Sequence, residues 1–132
     1  MRRVFTSLGE LPELLDLAEE ICRGMPDSLT FKAQVVLEEL FVNIFKHAYQ
    51  DSGDGGGSVE ITLEAEQAAV FIRITDQGPA FDPLTAETPD LQKRFADGIP
   101  GAAGLVLLRA MVQELRYTRL DGRNILEVRL TD

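Results

Sequence analysis

Two neighbouring segments alternate apolar and polar residues so strictly that they constrain the fold more than any other feature. The segments "SVEITLEAE" (residues 58–66) and "AAVFIRITD" (residues 68–76) are also rich in β-branched side chains, which is typical of strands with one buried face. Because only a turn around Glu66 to Ala68 separates them, they are predicted to form a β-hairpin. A second hairpin is predicted where an Asp-Gly pair stands between "RYTRL" and "RNILEVRL". Two hairpins indicate a mainly antiparallel sheet.

Three segments with a helical period can cover the apolar face of such a sheet. The first has apolar residues at positions 11, 14, 15, 18, 21 and 22, with Pro12 near its start and Gly24 at its end. The second is predicted from about residue 29 to 49, with N-cap candidates in "DSLT". The third is "GAAGLVLLRAMVQEL", residues 101–115. Each helix has an apolar face that needs a partner layer.

The predicted element order is β-α-α-β-β-α-β-β, because residues 2 to 8 also have the pattern of a short strand. The fold class is therefore α+β, a two-layer sandwich of a mainly antiparallel sheet with three helices on one face. The length of 132 residues predicts a single domain spanning 1–132. The first strand is expected at an edge, where it could pair with another copy of the chain.

Charge and composition exclude several classes of function. The formal net charge is −9, and such a field repels nucleic acid, so no direct nucleic-acid binding is expected. An anionic ligand would need a divalent cation and backbone amides at its site. The sequence has no run of ~18 apolar residues and no secretory leader, so we expect a cytoplasmic protein without membrane contact. Cys22, the single cysteine, is expected to pack in the core.

The segment "LEELFVNIFKHAYQ" (residues 37–50) contains the first candidate site. One side of this helix is apolar, and the other carries a polar stripe: Glu39, Asn43, Lys46 and Gln50. His47, the only histidine, lies beside Asn43. Most such stripes are solvated surface, and that interpretation remains open. The alternative is a site, since a carboxylate and an amide oxygen one turn apart could accept a proton and hold Mg²⁺.

The segment "ITDQGPAFD" (residues 74–82) contains the second candidate site. A strand that looks buried ends in Asp76, and Gly78 follows two residues later. Asp and Gly are common turn residues, so the segment could be only a turn. Alternatively, an inward carboxylate at a strand end could accept a hydrogen bond from the amino group of a base. Gly78 would then let the ring approach the backbone.

The third candidate site follows a long loop. Residues 77–100 hold four of the six prolines and have no clear period, and so long a loop in a compact domain is usually functional or disordered. The helix that follows opens with "GIPGAAGLVLL", where Gly101 and Gly104 could let phosphate approach the backbone N–H groups. Glycines near a helix start are common, so this signal is weak by itself.

The order and spacing of the three motifs resemble the nucleotide-binding domain shared by histidine kinases, gyrase and heat-shock protein 90, the GHKL (histidine kinase-like) ATPase superfamily. They comprise Glu-x-x-x-Asn on a helix, Asp-x-Gly after a strand, a long loop, and G-x-x-G-L opening a helix. Within that superfamily, "EELFVNIFKHAY" together with "DQGPAFDP" is similar to the stand-alone anti-sigma-factor serine kinases of bacteria. The resemblance covers nearly the whole chain.

The resemblance implies a role for each motif residue. Glu39 would be the general base, Asn43 the Mg²⁺ ligand, and Asp76 the acceptor for adenine, with Gly78 beside the base. Other positions would contact the phosphates: Lys46, His47, Gly101, Gly104 and Leu105. The loop at about 83–100 would be a lid over them. The chain departs from the family pattern at Pro79-Ala80 and Ala102, and Asn124 stands where many relatives have a Gly-Thr pair that reaches the adenine.

The resemblance therefore implies an ATP- and Mg²⁺-dependent serine protein kinase and anti-sigma regulatory factor of a bacterial partner-switching pathway. Its substrate would be a serine of an antagonist protein of the anti-anti-sigma type, with a sigma factor as a second partner, and it would be a homodimer. An ATP-binding interaction module without kinase activity is the alternative. A detached histidine-kinase catalytic domain is disfavoured, because the single histidine, His47, lies inside the expected site.

Overall fold

The computed structural model of the chain describes residues 1–49, 57–80 and 108–132. Two helices and five strands are defined there, together with a short 3₁₀ turn (Leu8–Glu10), a π-helical segment (Ile44–Ala48) and helical residues 108–111. The helices and strands are β1 (Arg2–Phe5), α1 (Leu11–Ile21), α2 (Asp27–Asn43), β2 (Val59–Glu66), β3 (Ala69–Asp76), β4 (Glu114–Leu120) and β5 (Arg123–Thr131). None of the helices in these three ranges is long and apolar enough to cross a membrane.

The five strands form one sheet in the order β1-β2-β3-β5-β4, and every pairing is antiparallel. The mainly antiparallel sheet predicted from the two hairpins is therefore confirmed. β1 lies at one edge, as predicted, and β4 lies at the other. The chain reaches the outer strand β4 before it turns back as β5, so β5 pairs with β3 along its length.

Both predicted hairpin turns are present. Gln67 has a φ of 54° between β2 and β3, and Asp121 and Gly122 have φ values of 52° and 74° between β4 and β5. Positive φ at both central residues is the requirement of a type I′ turn, which Asp-Gly meets with little steric cost. The Asp-Gly pair thus determines where β4 ends and β5 begins.

The core lies between one face of the sheet and the helices. Inward residues of β2, β3 and β5 alternate with outward polar ones and pack against α1, α2 and the buried Leu108. Phe5 and Phe41 meet edge to face with ring centroids 5.5 Å apart. Cys22 is buried, as predicted. The α+β two-layer fold class is confirmed.

Two element boundaries near the amino terminus differ from the prediction. β1 ends at Phe5 instead of continuing to residue 8. The Glu10 carboxylate accepts hydrogen bonds from the N–H groups of Thr6 and Ser7 at 2.7 and 3.0 Å, and these bonds start the 3₁₀ turn. α2 begins at Asp27, two residues early, and its N-cap is Pro26, without a side-chain capping bond. The prediction of an N-cap within "DSLT" is wrong, since Asp27 lies in the first turn instead.

The third helix was predicted to run to residue 115, and that boundary is wrong. The helical residues end at Met111, and Glu114 and Leu115 already pair with Arg129 and Val128 of β5. Pairing along the nine-residue β5 overrides the local helical period of "AMVQEL". Residues 101–107 of that helix lie outside the described residues.

Candidate functional site

The carboxyl half of α2 presents the first candidate residues. Glu39 and Asn43 lie one turn apart on the helix, and both side chains are half-buried. After Asn43 the α-helix gives way to the π-helical segment, closed by a hydrogen bond of 3.2 Å from Tyr49 N to Ile44 O. Glu39 and Asn43 therefore lie on one face of the helix as predicted. The π-helical turn changes the angle between successive residues, so the residues after Asn43 no longer follow the α-helical spacing of the predicted stripe. π-Segments inside helices are frequent at functional sites.

Lys46 and His47 lie within this π-helical segment. The Lys46 side chain is exposed. His47 follows Lys46 in the same segment. Gln50, the last residue of the predicted stripe, lies outside the described residues.

The electrostatic environment of Glu39 differs from that of its neighbour Glu38. Burial, and secondly the negative charge of Glu38, raise the pKa of Glu39, whereas Glu38 itself is exposed. Among the residues that the structure describes, neither Glu39 nor Asn43 uses its side chain in a hydrogen bond or ion pair. A carboxylate with a raised pKa and an open oxygen is suited to accept a proton.

The donor atoms of Glu39 and Asn43 fit Mg²⁺ in kind. Mg²⁺ prefers oxygen ligands and is commonly held by one or two protein groups together with water and substrate phosphates. The described residues contain no cluster of three or more His, Cys, Asp or Glu side chains that could hold a metal ion alone. Mg²⁺ bound beside this helix would take its other ligands from water and from phosphate oxygens, as is common for this ion.

Asp76, the second candidate, ends β3 on the core side of the sheet and is 4% exposed. Its Oδ1 accepts hydrogen bonds from Gly78 N at 2.8 Å and from Asn124 Nδ2 at 3.0 Å. The bond from Gly78 is the local turn bond that Asp commonly makes. The bond from Asn124 is not local, so Asp76 is more than a turn residue. It presents a carboxylate that other elements hold in place.

Asn124 is the centre of a hydrogen-bond network that sequence reasoning missed. It lies directly opposite Asp76 in the β3–β5 register and is 4% exposed. Its Nδ2 also donates to Pro79 O at 2.9 Å, and its Oδ1 accepts from Tyr117 OH at 2.5 Å and from Arg119 Nη1 at 3.1 Å. Asn is depleted in strands, so an Asn inside "RNILEVRL" was a local signal of a special role.

Arg119 also contacts the turn after Asp76. Its Nη1 donates to Gly78 O at 2.7 Å. The side chains of Tyr117 and Arg119 are two residues apart on β4 and so share one face of the strand. The β4–β5 hairpin thus holds both the Asp76 carboxylate and the backbone of residues 78 and 79.

Tyr49 joins the helix end to the strand end, which the sequence did not predict. Its hydroxyl accepts from Gln77 N at 2.9 Å and donates to Ser58 O at 2.8 Å. Burial is the main cause that raises the pKa of Tyr49; the hydrogen bond from the Gln77 backbone lowers it, and the charge of Asp76 raises it. The end of the helical segment that follows Asn43 is therefore tied to the residue after Asp76.

The third candidate motif consists of the glycines that precede the predicted third helix and the loop before them. Gly101, Gly104 and Leu105, together with the lid predicted at about 83–100, lie outside the described residues. Their proposed contacts with phosphates stay predictions.

Comparisons with known proteins identify the family of the chain. Residues 6–130 match the model of the histidine kinase-like ATPase domain. The serine/threonine-protein kinase BtrW of Bordetella bronchiseptica is 34% identical over 96 residues, which are 73% of this chain and 66% of that kinase, just under two thirds of its length.

Solved structures agree on the fold. Two nucleotide-free structures of the catalytic domain of histidine kinase ThkA superpose with TM-scores of 0.56 and 0.54 at 17% and 19% identity. Each comparison covers 99% of this chain and 95% or 97% of the other. The match of residues 6–130 to the family model confirms the superfamily predicted from the order of the three motifs.

Proposed function

This chain belongs to the family of histidine kinase-like ATPase domains, and we propose that it is an ATP- and Mg²⁺-dependent protein kinase that phosphorylates a serine of a partner protein. The observation that carries the proposal is the buried carboxylate of Asp76 at the end of β3, held by donors from two directions. The identity of 34% with a serine/threonine-protein kinase supports protein as the class of phosphate acceptor.

Asp76 would recognise the adenine base. Within the described ranges both hydrogen bonds to its carboxylate end on Oδ1, so Oδ2 is available to accept from the amino group of adenine. Gly78, which has no side chain, would lie beside the ring. A base without an amino group would leave this buried oxygen without water and without a hydrogen-bond donor, which costs free energy. The site should therefore bind adenine more tightly than such a base.

Glu39 and Asn43 would act at the phosphate end. A bound Mg²⁺ would neutralise part of the negative charge of the phosphates. This is needed because a protein of net charge −9 otherwise repels an anionic ligand. Asn43 would offer its amide oxygen to that metal. Glu39 would accept the proton of the serine hydroxyl as the oxygen attacks the γ-phosphorus, the bond from that phosphorus to the bridging oxygen breaks, and ADP leaves. Its raised pKa makes Glu39 a better base than an exposed carboxylate. Lys46, His47, Gly101, Gly104 and Leu105 are proposed contacts for the phosphates.

The proposed protein partner is an antagonist of the anti-anti-sigma type, with a sigma factor as a second binding partner, in the bacterial cytoplasm. These partners follow from the family resemblance of the motifs. A homodimer is also proposed, and the edge position of β1 supports it. Light scattering at high protein concentration tests the dimer, and a monomer at every concentration would refute it.

The second candidate function is an ATP-binding interaction module without kinase activity. The observation in its favour is that the base-side residues form a complete hydrogen-bond network, which would serve ATP binding whether or not phosphate transfer follows. The decisive experiment incubates the protein with γ-labelled ATP, Mg²⁺ and proteins encoded by neighbouring genes. Label on a serine of one of them supports the kinase, and ATP binding without transfer to any of them supports the module.

A further inference from the structure

We infer that Asn124 is a positioning residue that sets the direction of the Asp76 carboxylate and thereby the selectivity for an amino-substituted purine. This inference rests on the proposed nucleotide site and adds to it the residue that governs which base is accepted. In this arrangement Asn124 makes no contact of its own with the base.

The direction of the Asn124 amide is determined by its partners. Its Oδ1 accepts from Tyr117 OH at 2.5 Å and from Arg119 Nη1 at 3.1 Å, and the guanidinium of Arg119 can only donate. Its Nδ2 must therefore point to the other side, where Asp76 Oδ1 and Pro79 O accept its two hydrogens at 3.0 and 2.9 Å. A flipped amide would bring its N–H groups against the Arg119 guanidinium and its oxygen against the carboxylate.

This fixed amide determines what Asp76 can do. Asn124 Nδ2 and Gly78 N both bond to Oδ1 of Asp76, so that oxygen is occupied and the carboxylate cannot rotate without losing both bonds. The second oxygen, Oδ2, then faces one direction as an acceptor. Because both hydrogens and both lone pairs of the Asn124 amide already have partners, its effect on a base must pass through Asp76.

Both strands of the second hairpin contribute to the arrangement. Tyr117 and Arg119 lie on β4, at the sheet edge, and Asn124 lies on β5 between β4 and β3. Arg119 additionally holds Gly78 O at 2.7 Å. Side chains of the edge strand β4 therefore fix the orientation of Asn124, and Asn124 in turn fixes the orientation of the Asp76 carboxylate on β3, two strands away.

The test compares the affinities of ATP and of purine riboside triphosphate, which lacks the 6-amino group, by calorimetry in the presence of Mg²⁺. The parent protein should prefer ATP. Asn124→Leu, which keeps the size but removes all hydrogen bonds of the amide, should reduce that preference at least about fivefold. Tyr117→Phe removes one bond to Asn124 Oδ1 and should reduce the preference about two- to threefold.

The control is Thr118→Val on the opposite face of β4, which should leave the preference unchanged. If folded Asn124→Leu protein binds both nucleotides more weakly by the same factor, Asn124 has only a structural role and the inference is wrong. If Asn124→Leu does not fold, an unchanged preference in Tyr117→Phe overturns the inference. If the parent protein binds neither nucleotide, the proposed function fails and this inference fails with it.

Discussion

The two ends of the candidate site are built differently. At the strand end, Asp76 and Asn124 are each 4% exposed and are joined by a hydrogen bond of 3.0 Å. On α2, Glu39 and Asn43 are half-buried, and their side chains bond to no other group in the part of the chain that the structure describes. The protein thus orients the strand-end carboxylate by side-chain contacts, whereas α2 positions its two side chains through the backbone alone.

This difference suits the two tasks proposed for the ends. Recognition of a base requires one acceptor in one direction, so partners that restrain it favour selectivity. Proton transfer and metal binding require oxygens that are open to a changing ligand, so a permanent partner would compete with the reaction. Binding of the base and transfer of the phosphate should therefore respond to different substitutions.

The largest effect is expected from Glu39→Gln, which separates binding from chemistry. Glutamine keeps the size and helix propensity of Glu39 but cannot accept the hydroxyl proton. Phosphate transfer should fall at least about a hundredfold, while the affinity for Mg²⁺ and ATP stays near that of the parent. Labelled-phosphate transfer and calorimetry measure the two quantities.

The matched control for Glu39→Gln is Glu38→Gln at the exposed neighbouring position. Because Glu38 lies about 100° around the helix from Glu39, this change should alter transfer only slightly. Transfer by Glu39→Gln protein at the parent rate would show that Glu39 is not the base.

Asp76→Asn should give the next largest effect, now at the base end. Asn124 directs an N–H group toward residue 76. An asparagine at position 76 would therefore turn its side-chain oxygen toward Asn124 and its NH₂ group toward the base. Donor would then face donor, which costs about 1–3 kcal/mol, or about 5- to 150-fold in ATP affinity by calorimetry. Asp121→Asn, in the exposed β4–β5 turn, is the control. Unchanged affinity in Asp76→Asn would reduce Asp76 to a turn residue.

Tyr49→Phe tests the link between the two ends through stability. The hydroxyl accepts from Gln77 N and donates to Ser58 O, so its loss should lower the free energy of unfolding by about 1–3 kcal/mol. Tyr117→Phe, the change at the other tyrosine, removes one bond and should cost less, about 0.5–1.5 kcal/mol. Urea denaturation compares the two, and equal losses would argue against Tyr49 as the link.

The smallest effect concerns pH and stability. The pKa of Glu39 is raised in the folded state. At pH values between the ordinary pKa of a glutamate and this raised pKa, folded protein therefore still holds a proton that the unfolded chain has released. The stability of the parent therefore falls as pH rises through that raised pKa. Glu39→Gln protein lacks this loss, so it should be slightly more stable than the parent at neutral pH and equal to it below the ordinary pKa of a glutamate. Urea denaturation at both pH values checks this, and a pH-independent difference would contradict it.

Local patterns were sufficient for much of the fold. The positive φ values at Gln67, Asp121 and Gly122 lie where the two hairpin turns were predicted. The Asp-Gly turn follows from the preference of its own residues, and the turn at Gln67 from the alternating segments on both sides of it. The α1 helix and the burial of Cys22 also follow from short-range periodicity. The placement of Glu39 and Asn43 one turn apart needs only helix geometry.

Other features of the site depend on partners that are distant in sequence. The predicted helix to residue 115 gives way to β4 because β5 offers a strand to pair with. Asp76 and Asn124 are 48 residues apart, and only the register of β3 with β5 brings them opposite each other. The bond from Gln77 N to Tyr49 OH similarly spans 28 residues.

The sequence by itself determined the residue types of the site and the elements that carry them, since periodicity and turn preference are properties of short segments. The tertiary structure decided which of these residues act together. It placed β5 between β3 and β4, and so made Asn124, Tyr117 and Arg119 the supports of Asp76. Strand order and register depend on burial across the whole core, so no short segment of the sequence contains that information.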